Sequence, residues 1–395
     1  MHAVAWPGVV LKTLVAIVLV AAINSVVPIG ASARTCQTWG PNQPPNPGTF
    51  DNQLAGITVL SRCSAWAVGW YSNGEGFPFP VRTLIEHWNG TAWRVQASPS
   101  PGTNNDFNDL LIGVAATSQT NAWAVGRHND NTNDKTLIEH WNGTAWRVQA
   151  SPKPGSSSDL GTVAALSASN AWAVGSYYNG TADRTLIEHW NGRRWKVRAS
   201  PNVGTTYSNQ LGGVVATSAT NAWAVGSYLN FDRAADETLI LHWNGTSWRR
   251  QPSPNPAGTC HLCENVLGGV AATSRTNAWA VGDANGRTLI LHWNGRAWRR
   301  QPSPSPGTGD NRLSEVVATS PTNAWAVGAY FNNSSPYRTL ILHWNGTSWK
   351  RQRSPNPGTG DNLLGGVGAS SATNAWSVGN YSDGTMTRTL ALHCC

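Results

Sequence analysis

The chain has 395 residues, of which only 12 % are charged, while glycine, proline and tryptophan contribute 40, 23 and 22. Glycine and proline break helices and tryptophan does little for them, so a helical protein is excluded and short strands joined by tight turns are indicated. The formal net charge of +8 permits attraction to polyanions. Lys and Arg recur in every repeat, however, which is expected to spread them around the molecule, and nucleic acid is not an expected partner.

In chain order, the first segment reads as an export signal. Lys12 precedes an apolar run from Leu14 to Ile23, and Ala31-Ser32-Ala33 offers a small-x-small cleavage site before Arg34. The run is about half of the ~20 residues that span a bilayer. Residues 1–33 are expected to be a signal peptide and 34–395 the mature domain. The thin positive charge ahead of the run leaves an uncleaved anchor as the alternative. No second stretch of spanning length follows, so the expected product is secreted or at the cell surface, without a membrane span.

Beyond that segment the sequence is periodic. The tryptophan of Trp-Ala-Val-Gly (Trp-Ser-Val-Gly in the last copy) stands at 66, 123, 172, 223, 279, 325 and 376, giving seven copies spaced 46 to 57 residues apart. A second tryptophan lies in His-Trp-Asn-Gly, from Trp88 to Trp344, and a third follows the turn, from Trp93 to Trp349. Each copy parses into four strands. In the fifth copy, Leu267 to Thr273 is small and apolar, Trp279 to Gly282 is the second strand, and Thr288 to Trp293 the third. Asn294-Gly295 favours a two-residue hairpin turn into the fourth strand, Trp298 to Gln301. Pro302 and Pro304 stop that strand, because proline cannot donate to the ladder. Four strands at this period make a propeller blade, so the predicted fold is all-β, a seven-bladed β-propeller of four-stranded antiparallel blades. Side chains grow from Gly and Ala in the first strand to Trp, Leu and Arg in the third and fourth, as the widening gap between radiating sheets requires.

The ring is predicted to close through its ends. The seventh copy stops at Leu392-His393-Cys394-Cys395, before a fourth strand. Trp39 is followed by Pro45-Asn46-Pro47-Gly48-Thr49 at the offsets that join Trp349 to Pro355-Asn356-Pro357-Gly358-Thr359. The N-terminal segment is therefore expected to supply the missing outer strand, leaving no free edge.

Six cysteines in an exported chain suggest disulfides. The repeat alignment places Cys36 beside Cys394 and Cys395, predicting a ring-locking bridge to one of them, worth about 4 to 5 kcal/mol by loop entropy. Cys63 is the expected partner of the remaining terminal cysteine, and a bond between Cys394 and Cys395 is the rival. Cys260 and Cys263 are expected to bridge locally. No second ligand pair accompanies them, so no metal or other cofactor is expected.

The copy length, the Val-Gly ending the second strand and the hairpin turn followed by Trp resemble the kelch repeat, whose family includes the propeller domain of galactose oxidase. The similarity covers residues 36–395. Kelch copies usually end the second strand with two glycines, whereas one appears here, as at Gly126, Gly226 and Gly328. The resemblance implies a propeller that binds ligands or proteins. It carries over no copper site, since no Tyr and His positions match that enzyme's ligands.

Catalytic candidates are few. Seven of the ten histidines, from His87 to His393, recur at one third-strand position. A role repeated in every blade is structural, because catalysis needs one asymmetric constellation. Glu86, Glu139 and Glu188 precede the first three of these histidines, but Leu241, Leu291 and Leu342 replace them in the next three blades, which points to packing rather than acid–base work. Four Asn-Gly-Thr turns, beginning at Asn89, Asn142, Asn244 and Asn345, fit the glycosylation pattern and equally fit simple turn chemistry. Basic outer-strand residues such as Arg249, Arg299 and Lys350 are expected to form a solvated rim, with contact to an anionic surface as the alternative.

The loops remain. Connections between strands two and three, and between blades, emerge on one face and carry Tyr177, Tyr178, Tyr228, Phe231, Tyr330, Phe331 and Tyr381. Asp51-Asn52, Asp310-Asn311 and Asp361-Asn362 recur in three junctions, as binding groups or as turn formers. Variable loops on a rigid frame are where binding is normally found. The expected function is a secreted, monomeric, non-catalytic scaffold for an extracellular protein or polymer. The alternative is a multivalent, glycan-binding lectin, which predicts near-identical aromatic and amide residues in every blade.

Overall fold

Each tryptophan repeat folds into one four-stranded antiparallel sheet, and seven such sheets are present. The computed structural model describes residues 38–74, 80–102, 109–130, 132–258, 261–333 and 336–395. The expected signal peptide, Cys36 and Cys260 lie outside the described residues. Among the described residues there is no helix, hence none long and apolar enough to cross a membrane.

Blade 4 illustrates the pattern, with strands Asn209–Ser218, Asn221–Asn230, Ala235–Trp243 and Trp248–Gln251 in sequential order. Its first strand carries a bulge between Leu211 and Gly213, a register shift that recurs at the same place in all seven blades. The bulge explains the invariant glycine of the repeat. A Cβ at Gly226 would lie 2.0 Å from the Gln210 carbonyl oxygen, and one at Gly69 would lie 1.9 Å from that of Gln53. Only glycine fits opposite the bulge.

The first strands of successive blades lie side by side, and the fourth strands form the outer edge of each sheet. The second-strand tryptophans are only 0–2 % exposed and link neighbouring blades. Trp66 meets Trp141 at 5.1 Å and Trp146 edge-on at 5.2 Å. Trp376 of the last blade meets Trp88 at 4.9 Å and Trp93 at 5.2 Å, so the junction between blades 7 and 1 repeats the others. Such pairs contribute about 0.5–1.5 kcal/mol each beyond the apolar area they bury.

The last blade is composite, as its sequence demands. Gly40 pairs with His393 and Pro41 with Leu392, Asn42 N–H donates to the Ala391 carbonyl at 2.9 Å, and Trp39 is buried. Further along, Thr389 N–H donates to Asn46 Oδ1 at 2.8 Å, matching Thr339 to Asn356 Oδ1 at 2.8 Å in blade 6.

Two local expectations are corrected. The hairpin between strands three and four is a four-residue loop, closed by pairs such as Trp293–Trp298, rather than a two-residue turn. Asn294 Oδ1 accepts the amides of Arg296 and Ala297 at 3.0 and 3.1 Å, and Gly295 takes φ +89°, so the asparagine side chain builds a wider turn. The cysteine pairing also differs. Cys63 and Cys395 carry free thiols, so Cys63 is not bridged to the C-terminus, and neither the Cys36–Cys395 clasp nor the Cys394–Cys395 bond forms. Cys63 packs its Sγ toward Gly90 of its own blade, the place filled by Thr120 beside Gly143 and Thr220 beside Gly245. It thus stands in for a threonine that braces the outer turn. A Cys36–Cys394 bridge and the Cys260–Cys263 pair each have one member, Cys36 or Cys260, outside the described residues.

Candidate binding surface

The topology fixes two ends of the ring. Turns joining strands one to two and three to four lie at one end; two-to-three loops and inter-blade linkers lie at the other, the loop face. The structure divides the candidate residues sharply. Asn52, Asn311 and Asn362 are buried inside their own linkers. Asn311 Oδ1 accepts the Gly307 amide at 2.7 Å while its Nδ2 donates to the carbonyls of Gly307, Gly309 and Gly286. Asn52 clamps Gly48 and Phe50, and Asn362 clamps Gly358 and Gly360, in the same way. A side chain so fully engaged has nothing left for a ligand. The aspartates tie blades together: Asp51 Oδ1 accepts Thr387 N–H at 2.9 Å, Asp361 Oδ1 accepts Tyr337 N–H at 2.8 Å, and Asp310 accepts from Arg312 and the Tyr337 hydroxyl.

The aromatics divide too. Tyr228 and Tyr330 are buried, their rings covered by Arg250 and Arg351, which also donate to the hydroxyls at 3.2 and 2.6 Å. Tyr228 donates in turn to the buried carboxylate of Glu237. Tyr177, Tyr381 and Phe331 are half-buried, Phe331 against Tyr337 at 5.2 Å. Tyr178 and Phe231 are exposed, Phe231 by 54 %.

The most exposed large hydrophobic side chain described, Leu262 at 73 %, was missed because its linker was read only for its cysteines. Leu262 has φ +62° and donates its N–H to the carbonyl of Ala234, itself at φ +47°, at 3.0 Å. A leucine in the left-handed region is a genuine outlier, and backbone strain of this kind gathers at functional sites. The hydrogen bond, with Asp236 N–H to Cys263 O at 2.9 Å, docks the linker between blades 4 and 5 on the blade 4 loop that carries Phe231. Tyr207 lies 6.3 Å from the Phe231 ring and donates to Asp232.

The patch is acidic. Burial, and then Glu264, raises the Asp236 carboxyl above its ordinary value. Burial pushes Asp283 up to about 6, with Glu264, Asp310 and Asp236 adding to the rise and Arg312 opposing it. Together with Asp232, these carboxylates outnumber the exposed cations of the same loops, Arg233, Arg287, Arg312 and Arg338, of which Arg233 pairs with Glu237 and Arg312 with Asp310.

The axis holds a second feature absent from the sequence expectations. A central cavity of about 540 Å³ is lined by the first strands. At the position just after the bulge, five blades carry Gly56, Gly113, Gly213, Gly269 and Gly366, while blades 3 and 6 carry Thr162 and Glu315. The Glu315 carboxyl lies over Gly269, accepts the Val316 N–H at 2.9 Å, and is pushed up to about 8 by burial. Alignment of Leu313-Ser314-Glu315 with Leu267-Gly268-Gly269 would have revealed it. No other ionisable residue lines this cavity among the described residues, so it offers a lone carboxyl and no acid–base pair.

The repeated histidines form a structural network. His140 Nε2–H donates to Asn121 Oδ1 at 2.9 Å, and Asn121 Nδ2 donates onward to Thr117 Oγ1 at 2.7 Å. Each ring also lies against the second-strand tryptophan of its own blade, as His189 does on Trp172 at 4.2 Å. Glu86, Glu139 and Glu188 are buried in three separate sheets. Among the described residues no group of three or more His, Cys, Asp or Glu side chains could hold a metal ion.

Fold and surface together define a seven-bladed, tryptophan-repeat β-propeller. No family model matches the chain, and no curated protein matches it in sequence, so the kelch likeness stays a resemblance of the repeat. Solved propellers do match in shape. YCF48 bound to a D1 peptide superposes with a TM-score of 0.57 at 12 % identity, over 92 % of this chain and 100 % of that one. YCF48 from Cyanidioschyzon merolae gives 0.53 at 15 % identity, over 90 % and 98 %. The extracellular domain of a hybrid two-component system from B. thetaiotaomicron gives 0.52 at 12 % identity, over 90 % of this chain and 39 % of the other. At such identities the likeness is one of fold.

Proposed function

We propose that this propeller is an exported, non-catalytic scaffold that holds a protein segment on its loop face, across blades 4 to 6. The carrying observation is the strained, exposed Leu262 on a linker hydrogen-bonded to the loop that carries the exposed Phe231, with Asp232, Asp236, Glu264 and Asp283 on the same loops or the adjoining strand ends. Apolar anchors within an acidic field suit a segment that presents hydrophobic and basic side chains together. The peptide held by the YCF48 propeller is a precedent for this mode on the same architecture. Export rests on the apolar run and cleavage pattern of residues 1–33. Divergent loops on a repeated frame favour one composite surface over a lectin's seven equal sites.

The test is selection from a random peptide library against the intact protein and against a Phe231→Ala/Leu262→Ala variant. Enriched peptides should pair aromatic or aliphatic residues with Lys or Arg, and the variant should bind them at least about tenfold more weakly, the loss of one or two well-buried anchors. Acidic consensus peptides, or equal binding by the variant, would refute the assignment. Glycan-array binding that survives any single-blade substitution would establish the lectin instead.

A further inference from the structure

The charge of this protein is sorted by surface and by arc, not spread evenly. Exposed basic residues on the fourth strands and on the turns at the opposite end form a patch separate from the acidic loop face. Blade 3 contributes Arg193, Arg194, Lys196 and Arg198, all exposed. Blades 4 and 6 contribute Arg249, Arg250, Lys350, Arg351 and Arg353. Blade 5 adds Arg275, Arg296, Arg299 and Arg300. Blades 1 and 2 supply only Arg62, Arg94 and Arg147 to the same surface, and the Gly40–Pro41 strand of blade 7 supplies none. No exposed acidic residue shares this surface among the described residues; its only carboxylates, Glu86, Glu139 and Glu188, are buried. The expectation that Lys and Arg spread evenly around the molecule is thereby corrected, while the rim itself is exposed as expected. Thirteen of sixteen cations crowd onto four consecutive blades, where like charges repel and none is neutralised by a protein partner on its own surface. Such an arrangement concentrates a positive potential that a polyanion would relieve.

We propose that the outer wall of blades 3 to 6 is a second binding site, for a flexible acidic polysaccharide. The wall is convex, because it follows the outer strands of four successive sheets around the ring. A flat bilayer or a stiff duplex, whose persistence length is about 50 nm, touches such a wall along one tangent, whereas a flexible chain follows the whole arc. Single-stranded nucleic acid would also follow it, but needs aromatic faces for its bases. The outer-strand tryptophans are 3–5 % exposed, and the third-strand Trp243, Trp293 and Trp344 are half-buried with their indole N–H groups bonded to the strand one-to-two turns, so the wall offers much charge and few stacking platforms. Sulfate and carboxylate groups on a sugar chain match that chemistry, with Arg forks bonding them in bidentate fashion. The site is distinct from the loop face and stands whether or not a peptide binds there.

Calorimetric titration of the intact protein with heparin and with polygalacturonate, at about 50 mM salt and again near 300 mM, tests this. Binding is expected to both polymers, weakening at least about tenfold at the higher salt. Arg249→Glu/Arg299→Glu/Arg300→Glu/Lys350→Glu should lose at least about tenfold in affinity, while Arg62→Glu/Arg94→Glu/Arg147→Glu should change it less than about twofold. The corresponding Gln variants carry less electrostatic stress on the fold and should show the same order. Absence of polymer binding, equal loss in both variant sets, or tighter binding of anionic vesicles or DNA than of either polysaccharide would overturn the proposal.

Discussion

Replacing Glu86 by leucine should stabilise the protein, and increasingly so as the pH rises. Glu86 is wholly buried and neither carboxyl oxygen has a hydrogen-bond partner. Burial pushes its pKa from 4.5 up to about 9. An acid whose folded pKa is raised contributes stability fully present below its unfolded value, and that contribution drains away as the pH climbs toward the folded value. The window here runs from about 4.5 to about 9. Within it, holding the proton costs up to about 1.4 kcal/mol per pH unit, or about 3 kcal/mol at pH 7. Blades 4 to 7 place Leu241, Leu291, Leu342 and Leu392 at the same position, so the ring accepts leucine there. Denaturant unfolding of the wild type and Glu86→Leu at pH 5, 6.5 and 8 measures the difference directly. The gain should be small at pH 5 and several kcal/mol by pH 8. A gain that is flat or shrinking with pH, or a destabilised variant, would show that water or an unseen partner satisfies the carboxyl and that the burial argument is wrong.

Other outcomes follow from the same geometry. Gly69→Ala should cost about 3 kcal/mol or more, read as a lowered denaturation midpoint, since its Cβ would meet the Gln53 carbonyl at 1.9 Å. Burial lowers the pKa of each of the seven repeated histidines, that of His189 to about 4, with Arg198 adding to the effect there. A base so shifted keeps its contribution above its unfolded value of 6.5 and loses it as the pH falls toward the folded one, so stability should decline from about pH 6.5 downward. In Asn121→Ala the loss of the His140 and Thr117 bonds should cost about 1–3 kcal/mol at pH 7, measurable by thermal unfolding.

The loop face shows where sequence pattern stops being informative. Asp-Asn pairs in the linkers look alike as binding groups and as turn formers until their partners are visible. Asn311 spends its side chain on Gly307, Gly309 and Gly286, and the last of these lies in a different blade's hairpin. Tyr228 and Tyr330 likewise vanish under arginines that come from their own outer strands. Leu262 emerged only because its backbone strain and its hydrogen bond to the loop that carries Phe231 are properties of two loops brought together. Glu315, by contrast, was legible: it breaks a column of glycines that a strand-by-strand alignment displays.

Periodicity by itself determined the number of blades, their four strands and the completion of the last sheet by the chain's beginning. It could do so because close packing of identical wedges imposes the same side-chain size at the same place in every copy. Spatial arrangement alone decided the free thiols of Cys63 and Cys395, the sorting of charge between loop face and outer wall, and the identity of the exposed anchors. Those depend on which groups meet across blades, and a linear pattern does not encode such meetings when the residues concerned differ from copy to copy.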